Sequence, residues 1–425
     1  MKATTHALAL LVAVANLLAC SDNDVNFIPV DGGIGVDSAT ADVSLKTDVS
    51  ALDTAVAVAD AATTDICVPG TAGSSTLGDL QDAGTPAPPV PFGIDERPAT
   101  TSCRPLPRPT GLPGDPFPQT LLATGCFTPT DLREPVAGVI PYSVNAPLWS
   151  DGAMKRRFIS IPDSQKIRIL PDGDFEFPRG SVLLKTFELD GHMLETRFFV
   201  RHDDGEWAGY TYVWNKDGKN EATLLGEDAA TRNVGFTTWL FPSRNACLSC
   251  HTAAAGRSLG LEVAQLNGDY VYPGNRRANQ MDTLDHLGLF ELTPGPAATL
   301  ARYASPGLAS TGTIEERARA YLHSNCSHCH RPGGLQTEGN LPDIDVRFGL
   351  PLAQTNLINR MPLRGAFGVP GVMLVKPGSA AQSMLLVRMK TTVANVRMPG
   401  IGSTVVDDLG VTVIGSWIAS MKSCP

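Results

Sequence analysis

Cys247-Leu248-Ser249-Cys250-His251 and Cys326-Ser327-His328-Cys329-His330 repeat one spacing, Cys-x-x-Cys-His, at two places in the chain. On a helical turn, residues i, i+3 and i+4 share a face, so each motif offers two thiols and an imidazole to one flat ligand. Thiols at this spacing add across the two vinyl groups of a haem, and the imidazole that follows binds the iron from one side. Cys-x-x-Cys also occurs in zinc sites and thioredoxin-like redox motifs, but neither demands the adjacent His. With 9 Cys and 8 His among 425 residues, two such pentapeptides are not expected by chance. The motifs therefore predict two covalently bound haem c groups, one on Cys247, Cys250 and His251 and one on Cys326, Cys329 and His330.

Attachment of this kind implies export, and the amino terminus agrees. Lys2 and His6 precede an apolar run over 7–18 that is too short to span a bilayer and has the proportions of a signal-peptide core. It ends in Leu17-Leu18-Ala19-Cys20, which resembles a lipobox, the cleavage site of bacterial lipoprotein signals. An ordinary cleavage site with an incidental Cys is the alternative. Lipidation at Cys20 would anchor the mature protein to a membrane while leaving it otherwise soluble. Ser21, where Asp is absent, favours the outer over the inner membrane by resemblance to sorted lipoproteins.

Residues 21–116 read as a disordered tether and linker, acidic and Ala/Thr/Ser-rich at first and Pro/Gly-rich later, without sustained periodicity. The formal charge of -9 argues against nucleic-acid binding and admits basic or neutral redox partners. Cys67, Cys103, Cys126 and Cys424 remain once Cys20 and the haem thiols are set aside, which suggests two disulfides with three pairings open. A link from Cys103 or Cys126 to Cys424 would pin the linker against the last helix.

Between 141 and 225, β-branched and aromatic runs at 181–189, 192–202 and 207–214 alternate with Asp172-Gly173, Asp190-Gly191, Asp204-Gly205 and Asp217-Gly218. Asp-Gly pairs are hairpin signals, and an antiparallel sandwich or partial barrel follows. Glu195, Arg197 and Arg201 read as a solvated sheet face. Asp151, His192 and His202 are candidate metal ligands, although scattered His in a sheet is more often a surface or hydrogen-bonded residue. The sixth ligand of the first haem is not evident; Met281 and His286 are the nearest downstream candidates, with His192, His202 and His323 further off.

Thr313-Ile314-Glu315-Glu316 has the capping-box pattern and opens a helix that delivers the second motif. After an irregular stretch come Arg397-Met398-Pro399 and a closing helix over 406–421. This order resembles a class I cytochrome c over 313–421. By that likeness Met398 is the thioether ligand opposite His330, with Met361, also followed by Pro, as runner-up. His323 and His328 read as local or propionate-facing polar groups.

Pro147-Leu148-Trp149-Ser150-Asp151-Gly152-Ala153, Phe177-Pro178-Arg179-Gly180, Glu195-Thr196-Arg197 and Tyr212-Val213-Trp214-Asn215, taken with both Cys-x-x-Cys-His motifs, Asn325 and Arg397-Met398-Pro399, resemble a family of exported bacterial dihaem c-type cytochromes. That family places a β-rich module before the haems, and the resemblance runs over 141–421. It implies single-electron transfer at the cell envelope between donor and acceptor proteins. The expected architecture is multidomain: a signal peptide (1–20), the tether (21–116), an antiparallel β-sandwich-like module (117–241), a first haem-binding segment (242–311) and a mainly α, class I cytochrome c-like domain (312–425). Two other functions compete. One is a dihaem peroxidase or oxidase using an open position at the first haem; the other makes the β module a binding platform with a redox output, favoured if Tyr210, Tyr212 and Trp214 are exposed.

Overall fold

The computed structural model describes residues 88–99, 103, 106–110, 112, 114–215, 221–335 and 343–421. The signal peptide, Cys20, Cys67, Cys424, the Asp217-Gly218 turn and most of the expected tether lie outside the described residues. Those described fall within one compact unit, Leu45–Pro425. None of their helices is long and apolar enough to cross a membrane.

Alternating side chains and tight turns build twelve strands: β1 (Ile140–Tyr142), β2 (Met154–Ser160), β3 (Arg168–Ile169), β4 (Phe175–Glu176), β5 (Val182–Leu189), β6 (His192–Arg201), β7 (Trp207–Trp214), β8 (Ala222–Leu224), β9 (Ala230–Val234), β10 (Thr237–Phe241), β11 (Asp269–Tyr272) and β12 (Arg276–Asn279). Six form one antiparallel sheet in the order β1-β2-β5-β6-β7-β8; β9–β10, β11–β12 and β3–β4 are separate two-stranded ribbons. Asp190 and Gly191, both at positive φ, close the β5–β6 hairpin.

The sandwich expectation is corrected, because no second large sheet faces this one among the described residues. One face, carrying Phe158, Val182, Leu184, Phe198, Val200, Tyr210 and Tyr212, is covered by irregular chain through Leu106, Phe117, Leu121, Phe127 and Leu132. The disulfide between Cys103 and Cys126 lies in that cover. It excludes a bond from either cysteine to Cys424; Cys67 and Cys424 lie outside the described residues. The linker expectation fails from residue 88 onward. Phe92 stacks on His286 with ring centroids 3.8 Å apart, and the Arg97 guanidinium donates to Pro162 O at 2.8 Å.

The opposite face carries the site. Strand register sets three cross-strand rows there: Ile159–Leu183–Phe199–Gly209, Arg157–Lys185–Arg197–Thr211 and Lys155–Phe187–Glu195–Val213. The first row joins a core with Leu261, Leu266, Met281 and Leu284; the third packs, through Phe187 and Val213, against Trp239 and Phe241 of β10.

The helices are α1 (Arg244–Cys250), α2 (Val263–Leu266), α3 (Gln280–His286), α4 (Ile314–Cys326), α5 (Met384–Met389) and α6 (Asp408–Ser420). The capping box at α4 forms as its sequence requires: the Glu316 N–H donates to Thr313 Oγ1 at 3.2 Å and the Thr313 N–H to Glu316 Oε2 at 2.8 Å. Tyr321 and Leu322 of α4, Leu386 of α5 and Val413, Ile414, Trp417 and Ile418 of α6 share one buried core.

Candidate functional site

β10 runs into Ser243, whose hydroxyl accepts from the Ala246 N–H at 3.2 Å and caps α1. This short helix lays its first thiol on the sheet. A Cβ at Gly209 would lie 2.6 Å from Cys247 Sγ and 2.8 Å from Cys247 Cβ, so only glycine lets α1 approach β7 this closely. Cys250 follows one turn later, and the His251 N–H closes the turn on Cys247 O at 3.0 Å.

The His251 ring packs on Phe199, centroids 4.1 Å apart. Its Nδ1–H donates to Arg257 O at 2.5 Å, and that bond fixes the tautomer with the Nε2 lone pair as the available donor. Burial lowers the His251 pKa to about 3, so the ring is neutral at physiological pH. Burial also raises both thiols, Cys247 and Cys250, while the Arg197 charge opposes the rise.

The second motif closes α4. The Cys329 and His330 N–H groups both donate to Cys326 O, at 3.1 and 2.9 Å. Burial pushes both thiols up to about 12 and the His330 imidazole down to about 4. His330 Nδ1 is buried without a hydrogen-bond partner, unlike its counterpart in His251. All four motif thiols are free, with neither Cys-x-x-Cys pair closed as a disulfide.

The two motifs adjoin. Arg331 Nη1 donates to Ala254 O at 3.1 Å while its Nε holds Ser327 O at 2.6 Å, so the turn after the second motif is clamped to the turn after the first. Cys250 lies within electrostatic reach of Cys329, and His328 within reach of His251.

The segment 147–153 is the brace between sheet and helices. The Trp149 N–H donates to Asn325 Oδ1 at 2.7 Å, one residue before Cys326, and Trp149 Nε1 donates to Val405 O at 3.1 Å. Asp151 Oδ1 accepts from the Val405 N–H at 2.8 Å, and the Asp151 N–H donates to Gly402 O at 3.1 Å. The stretch that follows Met398 is thereby tied to the sheet. The Met398 N–H itself donates to Arg388 O at 3.0 Å, at the end of α5, and Arg388 is the charged group that acts on His330. Met398 is half-buried, whereas Met361 is 73% exposed.

The expected metal candidates do not assemble. Asp151 braces the loop just described. His192 is exposed at the β5–β6 turn. His202 lies on the covered far face, its Nδ1 bonded to Leu106 O and its Nε2 to Tyr210 OH. Three candidate sixth ligands are likewise engaged elsewhere. Met281 is fully buried in the core, His286 Nε2 donates to Asp95 O, and His323 uses Nε2 on Glu262 and Nδ1 on the Phe348 N–H. His328 differs from them: its side chain makes no hydrogen bond although the residue is only 8% exposed.

Glu195 and Arg197 were expected in solvent; the structure buries Glu195 and leaves Arg197 half-buried against it. Glu195 is fully buried; Arg197 donates to it through Nε at 2.9 Å and Nη2 at 2.6 Å, and Trp239 Nε1 donates to its Oε1 at 2.9 Å. Tyr210, Tyr212 and Trp214 are buried at 3% exposure or less, which weakens the binding-platform reading. Free thiols one turn apart and an imidazole with a fixed tautomer fit a thioether-linked haem at the first motif. Among the described residues no three His, Cys, Asp or Glu side chains converge as a metal cage, so zinc lacks a tetrahedral donor set there.

No family model matches the chain, and no match is found among curated proteins or solved structures.

Proposed function

We propose that this protein is a dihaem c-type cytochrome, exported and held at the bacterial envelope through lipidated Cys20, that passes single electrons between donor and acceptor proteins. The observation that carries the reading is the construction at His251: two free thiols one turn apart, and an imidazole whose Nδ1–H is committed to Arg257 O. The class I cytochrome c likeness of the helical part supports it, with α4 and α6 sharing a core and the Met398 loop between them.

In this reading Cys247, Cys250 and His251 would hold the first haem, and Cys326, Cys329, His330 and Met398 would hold the second. Bound haem iron supplies reversible one-electron chemistry at a potential set by its axial ligands and surroundings. Arg257 O orients the His251 donor and raises its basicity. The adjoining motifs give a short path between the two centres, and the Trp149–Asn325 and Asp151–Val405 bonds keep the sheet and the helices in fixed relation. His328, a buried imidazole without a hydrogen bond that lies within the electrostatic field of His251, is the residue we assign as a further donor that the first haem would use.

The competing peroxidase reading requires an open position there. Visible and electron-spin spectra of the haem-loaded protein before and after peroxide separate the two. Two low-spin centres unmoved by peroxide are expected. A high-spin ferric centre that reacts with peroxide would replace the carrier reading with the enzyme.

A further inference from the structure

The stretch that enters β4 pairs antiparallel with the stretch that opens α2. The Val263 N–H donates to Gly173 O and the Phe175 N–H to Leu261 O, both at 3.0 Å, which sets Asp174 directly opposite Glu262. Side chains directly opposite on neighbouring strands share a face, and like charges placed so are destabilising. The two carboxyl groups are unequally provided for. Glu262 is 4% exposed and both of its oxygens are engaged, Oε1 by His323 Nε2 and Oε2 by the Tyr303 hydroxyl, each at 3.0 Å. Because His323 Nδ1 accepts from the Phe348 N–H, the proton on its ring is the one donated to Glu262. Two donors on two oxygens suit a carboxylate anion. The half-buried Asp174 carboxyl accepts no hydrogen bond among the described residues. Burial, followed by the Glu262 and Asp172 charges, pushes it up to about 6.

Asp174 lies where the two Cys-x-x-Cys-His motifs meet. A Cβ at Gly256 would be 3.5 Å from Asp174 Oδ2, and Gly256 immediately precedes Arg257, whose carbonyl takes the His251 Nδ1–H. On the other side, Glu262 reaches the second motif through His323, one turn before Cys326 on α4. The groups that face Asp174 are Asp172 of its own turn, Glu262 with Tyr303 behind it, His323 of α4, Arg331 after the second motif and Arg347 of the following loop. Both cations are committed elsewhere. Arg331 clamps Ala254 O to Ser327 O, and Arg347 holds Asp345 through Nε at 3.0 Å and Nη2 at 2.6 Å.

We propose that Asp174, opposed by Glu262 at the junction of the two motifs, is a proton-binding site coupled to electron transfer: its carboxylate takes one proton from water when the chain gains one electron from its donor, and releases that proton when the electron passes to the acceptor. This rests on the haem reading of the motifs. One electron and one proton enter together, so the net charge of the junction is unchanged. Added negative charge favours the protonated form of a neighbouring carboxyl. By reciprocity, protonated Asp174 favours the reduced state and ionised Asp174 the oxidised one, so the midpoint falls as pH rises through about 6.

The test is potentiometric titration of the exported, haem-loaded protein across about pH 5 to 8, with infrared difference spectra between its oxidised and reduced states. In wild type at least one midpoint should fall with rising pH and then level off, and a protonated-carboxyl band should grow on reduction. Asp174→Asn, neutral and of the same shape, should retain two haems, hold the midpoint at its low-pH value and lose the band. Asp172→Asn should keep the pH dependence and move it to lower pH, because the Asp172 charge is among those that raise Asp174. Independently of any variant, isotopic labelling of the aspartate carboxyls should move the wild-type band. Midpoints flat with pH in wild type, a dependence that survives Asp174→Asn, or a band unmoved by aspartate labelling would each overturn the assignment. Absence of haem in wild type would overturn the reading beneath it instead.

Discussion

The two Cys-x-x-Cys-His motifs have the same spacing and are built into different surroundings. The first lies against a β-sheet, its thiols within the field of Arg197 and, for Cys250, Lys185, and its imidazole oriented by a backbone carbonyl. The second ends a capped helix, its thiols raised mainly by burial and its His330 Nδ1 without a partner. The same motif thus meets a polar, cationic setting in one case and, in the other, one dominated by burial with Arg388 as the acting charge. Axial ligation and local charge set haem potential, so the proposed function expects two unequal centres of this pair.

The largest disturbance of the contrast is Glu195→Ala. It leaves the half-buried Arg197 and the buried Trp239 indole without their carboxylate acceptor, and stranding such donors costs about 1–3 kcal/mol. Denaturant unfolding should show that loss. A cost below about 1 kcal/mol would mean that the Arg197 charge is neutralised by another group.

Met398→Ala acts on the other side of the comparison with less effect on stability, because the side chain is only half-buried. It should abolish the long-wavelength sulfur-to-iron band of the ferric protein and lower the potential of the second centre, leaving the first unchanged. Survival of the band would transfer the ligand role away from Met398.

Local signals carried much of the fold. The Asp190-Gly191 turn, the β5–β7 alternation, the Thr313 capping box and the closing helix α6 each rest on residues a few positions apart, and each is found within a residue or two of its expected place. What was not legible depends on distant chain. Nothing in the Pro-rich segment after residue 88 announces that Phe92 will stack on His286, or that Cys103 and Cys126 will close under the sheet. The pairing of buried Glu195 with Arg197 was misread because charge outweighed context. Phe198-Phe199-Val200, which follows directly, is apolar on both parities, the pattern of a strand covered on both faces. The brace of Trp149 and Asp151 onto Asn325 and Val405 unites motifs more than 170 residues apart, which only the folded chain reveals.

The central claim is that both motifs carry covalent haem, and the direct test is intact mass with a pyridine haemochrome assay on protein exported by a haem-ligating bacterial host. Two haems per chain are predicted, falling to one in Cys247→Ser/Cys250→Ser and to one in Cys326→Ser/Cys329→Ser. A wild-type chain with its four motif thiols free, or holding zinc in their place, would contradict the account.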